Sequence, residues 1–116
     1  MKARRQPVDA SLPVDWNRLP WEAVRDGMER KLCNGVQATM AMHRVSAAAV
    51  TAEHAHPEEQ IVYVVSGRLR YSVEEKTHVM EPGDVLLIPA NVMHRAQTIS
   101  DEPAVTLDVF SPRRNY

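Results

Sequence analysis

Short strand-like runs separated by turn-forming residues dominate the chain from residue 36 onward. Turn signals such as Ser66-Gly67 and Pro82-Gly83-Asp84 recur at intervals of roughly 8 to 12 residues, with almost no helical periodicity between them. The strand-like runs cover residues 36–42, 61–65, 68–73, 77–80, 85–88, 94–99 and 104–110. Regularly spaced short strands are typical of a sandwich or a small barrel. We therefore predict an all-β fold.

The first third of the chain has a different character. Residues 1–20 contain three prolines among polar residues, which predicts an extended N-terminal arm. Residues 21–26 are compatible with a short helical turn closed by Gly27. We thus divide a single domain into an arm and entry segment over 1–35 and a barrel over 36–116. Within the barrel, the strands on either side of Ser66-Gly67 are expected to form a hairpin.

Composition excludes several classes of function. With 116 residues, 44% hydrophobic and 25% charged, the chain is one ordinary globular domain. A formal net charge of -1 argues against a nucleic-acid-binding protein, which needs a basic face. The single cysteine, Cys33, rules out an intrachain disulfide. No signal-peptide pattern or long apolar run is present, so we expect a cytoplasmic protein that does not enter a membrane.

Histidines supply the strongest chemical signal. His54 and His56 are two residues apart, so in a strand they face the same side and form a natural chelate for a metal ion. Alone the pair is a weak signal, because solvated histidines have the same spacing by chance. Gln60 opens the next strand and points back toward the pair, and His94 follows the turn after 85–88. Together these four residues predict a metal site.

The last strand carries a second candidate site. Asp108 and Phe110 share a face, and a carboxylate on an inward face is costly unless it is paired or functional. Asp108 is therefore a candidate acid or base, the alternative being a surface aspartate. Arg114 offers a guanidinium fork for a substrate carboxylate, the alternative being an ordinary charged tail.

The remaining side chains support weaker expectations. Tyr63 and Met93 are either core or pocket residues, while His43 and His78 are expected on strand surfaces. Aromatic rings are costly in solvent, so Trp16 and Trp21 suggest an intersubunit contact. An extended arm suits the covering of an exposed strand edge, so we predict a homodimer.

Over residues 36–110 the chain resembles the cupins. The first cupin motif is matched by His54-Ala-His56, then Gln60 after three intervening residues, then Gly67 after six more. The second is matched by Gly83, Pro89-Ala90-Asn91 and His94. Ala48, Asn91 and Thr98 depart from that pattern, as does Gln60, where most cupins have glutamate. The resemblance implies a jelly-roll β-barrel with one divalent ion (Ni, Zn, Mn or Fe) held by His54, His56, Gln60 and His94. Such a shell is neutral, which favours Lewis-acid chemistry over oxidation.

The tail Asp108-Val-Phe-Ser-Pro-Arg-Arg114 resembles the ending of the pectin-degradation cupins of the KdgF type. That resemblance implies ring opening of 4,5-unsaturated uronates, small acidic molecules, with Asp108, Phe110 and Arg114 lining the site. Two alternatives remain open: another small cupin enzyme, such as a polyketide cyclase or a dioxygenase, or a cupin that senses a sugar or acid without turnover.

Overall fold

Nine strands and one 3₁₀ turn account for the regular structure in a computed structural model that describes residues 7–114. The strands are β1 (Glu22–Arg25), β2 (Met28–Asn34), β3 (Thr39–Val45), β4 (Glu59–Ser66), β5 (Leu69–Val73), β6 (Lys76–Met80), β7 (Val85–Ile88), β8 (His94–Thr98) and β9 (Ala104–Ser111). The 3₁₀ turn (Trp16–Arg18) precedes them. The all-β prediction is confirmed. No helix within 7–114 is long and apolar enough to cross a membrane.

The strands form two antiparallel sheets packed face to face. The larger has the order β1-β2-β3-β9-β4-β7, and the smaller has the order β6-β5-β8. The core lies between them and includes Val62 and Val64 of β4, Leu69 of β5 and Ile88 of β7, all at most 1% exposed. The non-consecutive neighbours in each sheet are those of the predicted jelly-roll barrel.

The predicted helical turn over 21–26 is wrong. These residues begin β1, and a tight turn at Gly27 (φ +79°) leads directly into β2. A glycine with positive φ closes a hairpin as readily as it ends a helix, so the sequence signal was ambiguous. The larger sheet therefore begins at β1, ahead of the boundary expected at residue 36. Of the predicted arm, residues 1–6 lie outside the described residues.

The predicted hairpin around Ser66-Gly67 is also wrong. Strand β4 pairs with β7 and β9, whereas β5 pairs with β6 and β8 in the other sheet. Gly67 (φ +76°) is where the chain crosses between sheets, and a Cβ there would lie 2.6 Å from the Ala104 Cα. The glycine thus allows a close backbone approach rather than a two-residue turn.

The two faces of β3 are opposite to what hydrophobicity predicts. The larger apolar side chains of this strand, Met40 and Met42, favour burial of the face they share, yet Met40 is 37% exposed. The buried side chains belong to Thr39, Ala41, His43 and Val45. Small and polar residues face inward because this part of the barrel interior encloses a cavity rather than a packed core.

Candidate metal centre

The three predicted histidines meet at the mouth of the barrel. The main chains of His54 and His94 exchange two hydrogen bonds of 2.9 and 3.0 Å, which fixes the 50–56 segment beside the start of β8. One ring nitrogen from each of His54, His56 and His94 lies within 4.8 Å of the other two. This separation suits three ligands of one ion.

The main chain sets which nitrogen of each ring faces the centre. Nδ1 of His54, His56 and His94 lies 2.8, 2.9 and 2.8 Å from the carbonyl oxygens of Ala52, Glu58 and Val92, respectively. A carbonyl only accepts, so each Nδ1 carries a proton and donates it. In the neutral rings the lone pairs are therefore on Nε2, the tautomer that a metal ion requires.

His94 is the most deeply buried of the three, with 2% of its surface exposed. Desolvation lowers its pKa, and the neighbouring His54, His56 and Arg114 act in the same direction. The hydrogen bond that His94 donates to the Val92 carbonyl acts in the opposite direction. Its Nε2 has no hydrogen-bond partner among the described residues. A buried, neutral imidazole nitrogen without a partner is suited to binding a cation.

Gln60 supplies the fourth position. Its Oε1 lies 3.0 Å from Nε2 of His56, whose proton is already on Nδ1. In the neutral ring both atoms are acceptors, and a cation bound to both relieves their repulsion. Two ligands about 2.1 Å from an ion and at right angles to each other are about 3 Å apart, so the spacing fits. The amide also hydrogen-bonds to Tyr71, which orients it.

These donors fit a divalent ion such as nickel, zinc, manganese or iron, all of which accept imidazole. The geometry brings together the four residues expected from the sequence, and metal binding by them stays a prediction. Since no ligand of the set is anionic, the full charge of a bound ion would act on a substrate.

A cavity of about 260 Å³ extends from the histidines into the barrel. Its lining includes the three residues predicted from the tail, Asp108, Phe110 and Arg114. The volume lies below the roughly 300–1,000 Å³ of pockets for drug-sized ligands, so a single sugar ring is a suitable occupant. One cavity therefore joins the candidate metal ligands to a carboxylate and a guanidinium group.

Asp108 is buried, with 2% of its surface exposed, rather than lying on the surface. Its Oδ2 accepts hydrogen bonds from Nδ1 of His43 and, at 3.1 Å, from the Thr106 hydroxyl. Oδ1 has no hydrogen-bond partner within residues 7–114. Two donors to one oxygen offset part of the cost of burying the charge.

His43 and Tyr71 were missed as site residues, and the surface position expected for His43 is wrong. Both line the cavity and both are buried. Burial raises the pKa of the Tyr71 hydroxyl, and the charge of Asp108 raises it further, against a hydrogen bond from Gln60. The phenol thus stays protonated. In the sequence, the available signal was the alternation of His43 with Ala41 and Val45. It was hidden by the larger apolar side chains of Met40 and Met42, which belong to the opposite face.

Arg114 lines the cavity and is held in position by contacts to neighbouring residues. Its guanidinium carbon lies 4.9 Å from the centre of the Phe110 ring, and Nη1 is 3.5 Å from Oε1 of Glu58. Its main-chain N–H donates to the Thr39 hydroxyl at 3.1 Å. These contacts argue against the alternative of a freely solvated tail.

Tyr63 and Met93 do not belong to this cavity. Tyr63 is 44% exposed on the outer face of β4, and Met93 is 42% exposed beside a shallow surface groove. Strand alternation explains the error for Tyr63, since its neighbours Val62 and Val64 face the core.

His78 is exposed on β6, as predicted. Trp21 is partly covered by its own chain, because Lys31 and Arg44 pack over its ring at 4.7 and 4.2 Å.

Two of the residues that depart from the cupin pattern have a backbone conformation typical of glycine. Ala48 has φ +63° and Asn91 has φ +64°. The Asn91 N–H donates to the His56 carbonyl at 2.8 Å, which connects the turn before β8 to the histidine pair. Left-handed backbone is tolerated by asparagine and costs more for alanine.

Comparison with known proteins agrees with this architecture: the cupin domain family matches residues 41–110. The chain belongs to the cupin family. This cupin is 30% identical over 97 residues to the pectin degradation protein KdgF of Dickeya dadantii, covering 82% of this chain and 87% of that protein. The structure of KdgF from Halomonas sp. superposes with a TM-score of 0.82 at 28% identity, over 87% and 93% of the two chains. The polyketide cyclase RemF from Streptomyces resistomycificus has the same fold, with a TM-score of 0.78 at 20% identity, over 86% and 78% of the chains.

Proposed function

We propose that this cupin is a metal-dependent enzyme that opens the ring of 4,5-unsaturated uronates, derived from pectin or alginate, and converts the resulting enol to a ketone. The observation that carries the proposal is the meeting of Gln60, Asp108 and Arg114 in one cavity with the three candidate histidine ligands. The similarity to KdgF proteins over most of both chains supports the same choice.

The chemistry of such a substrate matches the groups in the cavity. Opening a cyclic hemiacetal removes a proton from the hydroxyl on C1 while the bond from C1 to the ring oxygen breaks. The ring oxygen is then an enolate oxygen beside the C4–C5 double bond, and protonation at C4 gives the ketone. One group that accepts a proton and returns it is sufficient, and no oxidant is consumed.

Each residue has a distinct role in this proposal. His54, His56, Gln60 and His94 hold a divalent ion, which when bound supplies Lewis-acid polarisation of substrate oxygens. Arg114 lies at the cavity wall and pairs with the substrate carboxylate, for which its planar fork is suited. Phe110 packs against that guanidinium and limits its freedom. Asp108 supplies the proton transfer.

A direct assay tests the proposal. The purified protein, loaded with one metal at a time, is mixed with a 4,5-unsaturated monouronate, and the absorbance of the conjugated enol is followed. We expect loss of absorbance faster than in metal-containing buffer without protein, and no acceleration by a His54→Ala/His56→Ala variant. Equal rates with and without protein would contradict the proposal. Binding without turnover would favour the sensing alternative, and oxygen consumption would favour a dioxygenase.

A further inference from the structure

His43 and Asp108 form a buried pair in the cavity wall. They are far apart in sequence but lie on adjacent strands of the sheet. Strands β3 and β9 are paired, so Ala41 lies opposite Asp108 and His43 opposite Thr106. The three polar side chains of this patch are joined, because His43 and Thr106 both donate hydrogen bonds to Oδ2 of Asp108. The imidazole is thereby held by a carboxylate on one side.

The contact fixes the tautomer of His43. An ionised carboxylate only accepts hydrogen bonds, so Nδ1 of His43 carries the proton that Oδ2 accepts. In the neutral ring Nε2 then has a free lone pair, and it makes no hydrogen bond to any residue in 7–114. An aspartate that holds a histidine in this way makes the second nitrogen a general base.

Exposure distinguishes the two members of the pair. Both line the cavity, but the His43 side chain is 9% exposed and that of Asp108 is 3% exposed. The unpaired Oδ1 of Asp108 is fully buried. A substrate in the cavity therefore reaches the imidazole more readily than either carboxylate oxygen.

We infer that Nε2 of His43 is the atom that exchanges the proton with substrate, and that Asp108 acts through it. This rests on the proposed function, which it refines. Nε2 takes the proton from the C1 hydroxyl as the bond between C1 and the ring oxygen breaks. The imidazolium formed is stabilised by Asp108, and Nε2 returns the same proton to C4. Atoms and charge balance, because the product is an isomer of the substrate.

Variants of His43 distinguish whether this residue acts as the base or only positions Asp108. In His43→Asn the amide N–H replaces Nδ1–H as a donor to Asp108, but no basic nitrogen remains. If His43 only positioned Asp108, this variant would keep most of the activity. We expect instead a loss of kcat of about 10²- to 10⁴-fold, equal to that of His43→Ala, and partial recovery of His43→Ala by added imidazole. His78→Asn, on the exposed strand β6, is the matched control and should retain wild-type kcat.

A spectroscopic measurement tests the hydrogen bond between His43 and Asp108 independently of turnover. Nitrogen-15 correlation spectra of the imidazoles in the metal-free protein should show His43 with its proton on Nδ1 and a bare Nε2, and Asp108→Asn should remove that preference. A proton on Nε2 in the neutral ring, or near-wild-type kcat in His43→Asn, would overturn the inference. If the wild-type protein turns over no unsaturated uronate, the proposed function fails, and the tautomer alone then decides for or against the pair.

Discussion

Residues His54 and His56 contribute two of the four candidate ligands from one short segment. Replacing both by alanine leaves only Gln60 and His94, so we expect the bound metal to fall from about one ion per chain to nearly none. Elemental analysis of the dialysed variant beside the wild type measures this. His78→Ala provides a control histidine outside the cavity. Unchanged metal content in the double variant would refute the site.

Asp108 and Arg114 are expected to affect different kinetic constants. Asp108→Asn keeps the shape of the side chain but removes its charge, so we expect kcat to fall by about 10²- to 10⁴-fold with metal content unchanged. Arg114→Ala removes the contact proposed to the substrate carboxylate, which would be made throughout the reaction, so it should raise KM more than it lowers kcat. Steady-state kinetics on an unsaturated uronate distinguishes the two patterns. A wild-type rate in Asp108→Asn would show that the assigned chemistry is wrong.

The metal ligands were predictable because their spacing is local. His54, His56 and Gln60 lie within seven residues, and His94 follows a recognisable turn. His43 was not predictable in the same way, since its role depends on the pairing of β3 with β9, which joins residues 65 apart in sequence. Site residues break the hydrophobic pattern of their strand, and that break is readable only once the inward face is known.

Among the elements, the crossing from β4 to β5 depends on Gly67. Gly67→Ala places a Cβ 2.6 Å from the Ala104 Cα on a backbone with φ +76°, so strain and a backbone clash add. We expect a loss of about 2 to 4 kcal/mol in the free energy of unfolding. Gly83→Ala has a similar φ of +94° but open space around the new methyl group. It should cost only about 1 kcal/mol. Chemical denaturation measures both, and equal costs would contradict the close-approach argument.

The positions of the strands from β5 onward were predicted to within a few residues. The pairing of the strands in the sheets was not predicted correctly. The expected hairpin across Ser66-Gly67 failed because turn residues signal a change of direction without specifying which sheet the chain enters next. The prediction of a helical turn over 21–26 failed because the strand there gives no clear sequence pattern. Strand β1 is short and largely exposed, so it shows no alternation of buried residues. Turn chemistry is local, while sheet order is a property of contacts distant in sequence.

At the scale of the whole molecule, residues 7–114 leave an apolar face exposed. Exposed side chains on the outer face of the larger sheet include Ile61, Tyr63, Val65, Val85 and Leu87, each more than 40% exposed. A patch of this kind is typical of an association surface, and a two-fold dimer covers it on both subunits at once. We expect twice the monomer mass by light scattering at micromolar concentration.

A charge placed within this apolar face tests the dimer. Leu87→Asp should produce monomers, whereas Val36→Asp, at a residue 76% exposed outside the strands, should leave the mass unchanged. A monomer mass for the wild-type protein would contradict the expectation.

Acid is expected to destabilise the metal-free molecule. The pKa of His94 is lowered in the folded chain from an ordinary value of 6.5, chiefly by desolvation. As the pH falls below about 6.5, the unfolded chain takes up a proton at this residue while the folded chain stays neutral, so protonation favours unfolding. The melting temperature should therefore be lower at about pH 5.5 than at about pH 7.5, and His94→Asn should show a smaller decrease. An equal decrease in the variant would argue against His94 as a cause.

The hydrogen bonds from three Nδ1 atoms to the main chain have a consequence for how the protein would acquire an ion. Since the carbonyl oxygens of Ala52, Glu58 and Val92 already fix the rings, the apoprotein needs no folding step to receive a metal. Loading is then a simple equilibrium that adds stability in proportion to the logarithm of free metal concentration. A neutral shell discriminates weakly among first-row ions beyond their general order of affinity. We therefore expect cellular metal supply to decide which ion occupies the site, so that the same polypeptide would carry different ions under different growth conditions.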